Sequence, residues 1–284
     1  SAILWIMTDV DPTGVEVPTT HGGETTSKTS KQNYNSRLKP KFINQVVFSL
    51  ICSLPHLLGF LLPVLQLIIW TKQTFSKVWT ADFVAVTLES FGIAFITASI
   101  TVLVALLLLF FTKWNKIEWL KISSKLGILG YAIPGIIIAI GVLVPSLYLD
   151  KWLIEKNITS RLILNATLIA LVYAYVVRFL AVAYQPLESS SLKIDRSLSD
   201  SSKVLGKGNF RTFFKIEFPL IRTGLLSAFI LVFIDILKEL PLTLIMKPYD
   251  VDTLAVKAFE YASDEMVSSA ALPSLLIILT ALVP

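Results

Sequence analysis

This sequence predicts an all-α membrane protein, a bundle of six spans with the last one truncated, and three observations carry that prediction. Of its 284 residues 54% are apolar and only 16% are charged, with a mean hydropathy of +0.71. Soluble globular chains hold about 45 to 50% apolar and about 25% charged residues, so a soluble enzyme is excluded first. The apolar residues are also gathered into runs, and about 20 helical residues suffice to cross hydrocarbon. Finally, the runs lack the period-two alternation of a membrane barrel, which leaves helices as the way to satisfy backbone amides in lipid.

The runs cover 46–70, 90–111, 126–149, 162–184, 225–246 and 270–284. Five are long enough to span, and the sixth, with 15 residues, reads as cut short. Ahead of them, 1–45 is rich in Thr, Ser, Gly, Asn and Lys, and most of it lacks apolar periodicity, so it reads as a disordered cytoplasmic linker. The short apolar stretch 2–7 reads as the tail of a preceding helix, because no basic region precedes it as a secretory signal would require. The membrane domain is accordingly placed at 46–284, and the chain, starting at Ser1 and stopping inside an apolar run, reads as a piece of something longer.

Loop charge sets the orientation, because cytoplasmic loops keep an excess of Lys and Arg. The segment before the first span, the 112–125 loop and the 185–224 loop hold 16 such residues, against 7 in the alternate loops. Those three segments therefore face the cytoplasm. The formal charge of +5 follows this pattern, so it does not read as a nucleic-acid surface. Cys52 is the single cysteine and His21 and His56 are far apart in character, so neither a disulfide nor a metal site is assigned.

Within the spans, Pro55 and His56 mark a local kink in the first. Pro134 and Gly135, with Gly127, Gly130 and Gly141, suggest a kinked third helix with close small-residue contacts. Arg178 stands six residues before the end of the fourth run, near enough for its stem to snorkel to cytoplasmic headgroups. Trp70, Trp79, Trp114, Trp119 and Trp152 lie near span ends as an aromatic belt. The fifth run carries Asp235, Lys238 and Glu239. Charges at membrane depth are costly and face a partner or a water-filled path. At i, i+3 and i+4 they share a helix face, where Lys238 can neutralise either carboxylate. Either they form a self-paired seam or they line a translocation path, next to a helix weakened by Pro241.

The 185–224 loop carries the most specific pattern. Apolar Leu192, Ile194, Leu198, Val204 and Leu205 alternate with charges in helical spacing, and Gly206 and Gly208 interrupt it. A second short piece runs from Phe210 and is expected to end at Pro219. Two amphipathic helices around a glycine corner would form a cytoplasmic knob. Taken alone, a basic amphipathic loop is an ordinary surface helix on anionic lipid. The sequence Gly-Lys-Gly at 206–208 lacks the spacing of a phosphate loop, so no nucleotide or other cofactor is assigned to this chain.

The joint spacing of Asp200-Ser201-Ser202, Gly206 and Ile216-Glu217-Phe218-Pro219 resembles the "EAA" loop of binding-protein-dependent ABC transporter permeases. That pattern has Glu-Ala-Ala, a glycine after three residues, and Ile-x-Leu-Pro after nine more. Here Asp replaces Glu, two Ser replace two Ala, and Phe replaces Leu. The stretches 235–244 and 247–265 extend the likeness toward the ferric-iron branch, whose chains commonly fuse two six-span halves; sulfate, thiamine and polyamine permeases share the loop. The resemblance implies a type I importer permease in a bacterial inner membrane, without catalytic residues of its own. It further implies a cytoplasmic ATP-binding subunit gripping Asp200, Ser201, Ser202, Gly206, Ile216, Phe218 and Pro219. An external substrate-binding protein, periplasmic or lipid-anchored, and another permease half would complete the assembly within membrane lipid. The rival classes are an ion-coupled transporter or channel using Asp235, Lys238 and Glu239 as a relay, and a membrane scaffold without transport.

Overall fold

The computed structural model describes residues 42–114, 130–159 and 167–282. Among them all regular structure is helical. Of the linker expected at 1–45, residues 1–41 lie outside the described residues, as do Trp119, Gly127 and the side chain of Trp114, while 42–45 are helical. The chain divides after Cys52 into two units. The first contributes the opening turns of α1 (Phe42–His56), which begins four residues before the expected span. The second holds everything that follows.

After α1, with Pro55 near its end, the backbone widens into a π turn at Leu57–Leu61 and resumes as α2 (Leu62–Val78), with Pro63 in its first turn. A proline lacks the amide that a regular helix needs, and a local widening absorbs that loss. α3 (Ala81–Trp114) is a single 34-residue helix, about 51 Å at 1.5 Å per residue, well beyond its apolar run. α4 (Gly135–Glu155) starts immediately after Pro134, whose backbone is extended at φ −55° and ψ 138°. Pro134 therefore opens this helix instead of kinking it, because a proline ahead of the first turn costs no intrahelical bond. The third span runs six residues past the expected end at 149, and Asp150 becomes a buried helical residue.

α5 (Leu168–Leu192) likewise continues eight residues beyond 184, through Pro186, into what reads as loop. The knob follows as α6 (Arg196–Val204), α7 (Asn209–Thr212), a π turn at Phe213–Glu217 and α8 (Phe218–Leu220). The fifth apolar run splits into α9 (Arg222–Leu237) and α10 (Pro241–Met246). α11 (Leu254–Ser263) and α12 (Ala271–Leu282) complete the described chain. Among the described residues, four helical stretches are long and apolar enough to cross a membrane, or five if the bent pair Asn209–Leu220 and Arg222–Leu237, angled by 70°, counts as one span.

The main core lies where α3, α5 and α9 pack on one another. Alanines make the close approach: Ala94, Ala98 and Ala105 on α3, Ala174 and Ala183 on α5, and Ala228 on α9 are all completely buried. Small residues at crossings let helix backbones approach in lipid, where van der Waals packing substitutes for a hydrophobic drive. Phe91 and Phe233 meet edge-on at 5.8 Å between ring centres, and Phe95 and Phe229 at 5.4 Å, which fixes the register of α3 on α9. A second cluster of Val78, Phe83, Leu254 and Leu272 joins α2 and α3 to α11 and α12.

Candidate functional site

Two places hold the charged and loop-pattern residues singled out in the sequence: the break between α9 and α10, and the knob. At the break, Lys238 closes α9 and Pro241 opens α10, so Asp235 and Glu239 do not share a continuous helix face. Lys238 Nζ pairs with Asp235 Oδ1 at 2.8 Å, and its side chain is 58% exposed. Glu239 turns the other way and is buried, with Oε2 accepting from Arg178 Nε at 3.1 Å. Of the two carboxylates that Lys238 was expected to be able to neutralise, it pairs with Asp235, and the cation for Glu239 comes from α5.

Arg178 is thereby reassigned as well. Its guanidinium is committed to Glu239 on another helix, a partner that the expected reach to headgroups did not include. Its Nη1 donates to Ile133 O at 3.0 Å, and the guanidinium lies 5.6 Å from the centre of the Phe179 ring. Glu239 Oε1 accepts from the amide of Leu242 at 3.3 Å, which caps α10. Thr243 donates back to the carbonyl of Glu239, and Tyr175 and Thr243 hydroxyls are 2.6 Å apart. The Leu242 amide and the Glu239 carbonyl, freed at the break, thus find side-chain partners, as irregular backbone within a membrane demands. Gly135 belongs to the same knot, for a Cβ there would lie 2.6 Å from Glu239 Oε1 and 3.0 Å from Arg178 Nη1.

In the knob, α6 begins at Asp195, whose Oδ1 accepts from the Ser197 amide at 2.9 Å. That amide holds the Asp195 carboxyl below the usual carboxylate range. Gly206 forms the corner between α6 and α7 with φ +75°, a left-handed conformation that favours glycine. The second piece does not stop at Pro219. In the π turn the amide of Phe218 reaches back five residues to Phe213 O, the helix passes the proline, and the bend falls at Ile221.

The faces of α6 are inverted relative to the spacing of its apolar residues. Ser199 and Ser202 are buried, while Leu198, Val204 and Leu205 are exposed, the last two by 87% and 76%. Ser202 Oγ lies 2.9 Å from Thr212 Oγ1, and Ser199 donates to Glu217 Oε1 at 2.6 Å, so the inward face is held by hydroxyls. Of the residues matched to the loop pattern, Asp200, Ser201, Gly206 and Pro219 are exposed, Ile216 and Phe218 are partly buried, and Ser202 is internal. Sequence reasoning missed Glu217, Ser199 and Tyr175 and misread Arg178. The position of Glu217 between Ile216 and Phe218, both directed partly inward, was the available signal.

A helical membrane bundle whose inner loop carries a glycine-cornered knob is the architecture of a permease of a solute importer. The chain belongs to the family of binding-protein-dependent transport system inner membrane components, whose model matches residues 103–284. It is thus an inner-membrane component of a binding-protein-dependent transport system. A curated relative, the Fe(3+)-transport system permease protein FbpB 2 of Haemophilus influenzae, is 25% identical over 226 residues. The match covers 78% of this chain and 42% of the relative, so the chain spans less than half of that protein's length. The crystal structure of a bacterial ABC transporter involved in import of the acidic polysaccharide alginate superposes with a TM-score of 0.66 at 13% identity, over 85% of this chain and 93% of that one. A second structure, of an alginate transporter in complex with an alginate pentasaccharide-bound periplasmic protein, gives 0.65 at 13% identity, over 84% and 92%. These two likenesses speak for the fold.

Proposed function

We propose that the chain is a translocating half of a ferric-iron importer that receives its substrate from an external binding protein and its energy from a separate cytoplasmic ATPase. The observation that carries the coupling part is the exposed apolar tip of the knob, where Val204 and Leu205 flank the Gly206 corner. A helix that buries serines and presents aliphatic side chains is built to be covered, and large exposed apolar groups on a cytoplasmic surface mark an interaction site. The iron assignment is supported by the likeness to the Fe(3+)-transport permease.

The reading of the charged residues changes with their partners. Asp235 and Lys238 remain the pair placed to meet a passing solute, since the ammonium is largely exposed. Glu239 serves to hold the break through Arg178.

The test is reconstitution with the ATPase and binding protein, followed by uptake of radiolabelled ferric iron with sulfate, thiamine and a polyamine as competitors. ATP-dependent iron uptake unaffected by the competitors is expected, whereas uptake of a competitor in place of iron would reassign the substrate. Gly206→Val then addresses the knob. A β-branched residue in the left-handed region costs about 1 to 2 kcal/mol locally and adds bulk at the corner. The variant should reach the membrane in normal amount and lose transport; wild-type uptake would return the loop to a lipid-surface role.

A further inference from the structure

Beneath its exposed tip the knob is fastened to the bundle by a polar junction. Glu217 is 1% exposed, and its Oε1 both accepts from Ser199 Oγ at 2.6 Å and pairs with Lys113 Nζ at 3.0 Å. Lys113 lies in the last turn of α3, and its Nζ also donates to Ser191 Oγ, 3.3 Å away at the end of α5. One carboxylate therefore touches α6 and α3 directly and α5 through a shared ammonium. Its other oxygen, Oε2, is buried without a hydrogen-bond partner.

Stability alone does not account for this arrangement. The surroundings are aromatic, with Phe213 and Phe110 only 5.0 Å apart between ring centres, and an apolar side chain at 217 would pack there without a desolvated charge. An ion pair in such a place is selective: it holds one relative position of its elements and no neighbouring one, because the direction of the bonds matters where packing is tolerant. The unfilled Oε2 leaves capacity for another donor, so a second arrangement of the same joint is open to it.

We infer that Glu217 is a positioning residue for energy coupling, the joint through which movement of the knob reaches α3. The inference rests on the proposed ATPase docking at the knob, and it adds the route inward from there. α3 carries the displacement to its far end, where Ser90 Oγ accepts from the amide of Leu254 at 2.8 Å and so ties α3 to α11.

The experiment reads the far end of α3 directly and needs no transported substrate. A cysteine is placed at Thr87, partly buried near that end, in a Cys52→Ser background, and the permease is assembled with its ATPase in proteoliposomes. The rate of labelling by an impermeant thiol reagent is measured with and without ATP. We expect ATP to change the rate in this background, and Glu217→Gln to shrink that change about tenfold while the ATPase stays bound, a factor ordinary for a coupling free energy. Ser199→Ala, which removes only the neutral donor, should shrink it less and serves if Glu217→Gln does not accumulate. An undiminished ATP response in either variant overturns the inference, because a merely structural residue lowers the amount of protein and leaves the response per molecule alone. Absence of any ATP response at Thr87, with the ATPase bound, overturns the inference and leaves the proposed function standing. Failure of the unmodified permease to bind the ATPase removes both.

Discussion

Glu239 and Glu217 are both buried carboxylates tied to a cation on another helix, yet they are finished differently. At the break between α9 and α10, Glu239 uses both oxygens, one on Arg178 and one on the Leu242 amide. In the knob, Glu217 crowds Ser199 and Lys113 onto one oxygen and leaves the other without a partner. Location accounts for the difference. Glu239 is buried within a broken apolar helix, where freed backbone groups have to be satisfied internally, so the knot closes on itself. At the rim, where the Lys113 side chain is 29% exposed, the cation keeps part of its hydration and the junction tolerates a gap.

The largest effect should come from opening the closed knot. Arg178→Met leaves Glu239 charged and unpaired, which costs about 3 to 5 kcal/mol for a buried pair. Little monodisperse protein is expected in detergent by size-exclusion chromatography. Combining Arg178→Met with Glu239→Gln removes the orphan charge and should restore much of the yield; failure of the pair to recover would mean the bonds to Ile133 and Leu242 matter more than the charge.

Next comes Gly135→Ala, which thrusts a methyl group against Glu239 Oε1. Overpacking of this kind costs about 1 to 3 kcal/mol, to be seen as a lowered thermal midpoint. An unshifted midpoint would show that the knot yields more easily than its geometry suggests.

Lys238→Met sharpens the contrast from the opposite side. Although Lys238 sits beside Glu239 in sequence, it pairs with Asp235; its own side chain is 58% exposed but that of Asp235 only 13%, so the change should cost more than the roughly 1 kcal/mol of an exposed pair and less than Arg178→Met. Equal damage from Lys238→Met and Arg178→Met, measured in one unfolding series, would void the assignment of Arg178 as the partner of Glu239.

Asp195→Ala at the start of α6 should have the smallest effect, a slight loosening of the knob. Because the Ser197 amide depresses the folded-state pKa of this carboxyl, its contribution is complete above the unfolded value and vanishes as the pH falls through the folded one. Hydrogen exchange in α6 should accordingly separate wild type from variant at neutral pH and not in acid.

The apolar runs were legible because hydrocarbon imposes one rule on every residue that crosses it. Helix ends were less so. α5 continues through Pro186 and Glu188 to Leu192, since neighbouring helices, and not its own hydropathy, support its last turns. Arg178 and Glu239 are 61 positions apart, and nothing local to either names the other. The inverted faces of α6 show the same limit: periodicity would bury Leu198, but the acceptor on Glu217, 18 positions away, draws Ser199 inward instead. Gly206 was readable in advance because a corner's demand on φ is local.

The unbroken length of α3 makes it a gauge with a phase. Ser90 meets α11 near one end and Lys113 meets Glu217 near the other, 23 residues apart on one rigid helix. Each residue turns the helix by about 100°, so a single residue inserted between these two positions would swing Lys113 away from its carboxylate while Ser90 stayed docked. Seven added residues would restore the angle to within about 20° but separate the ends by about 10 Å more. No small insertion satisfies both contacts. Drift in chain length is therefore expected to collect outside 90–113, at the overhanging outer turns of α3 and in the loops, and this interval is a poor place for a tag or a linker.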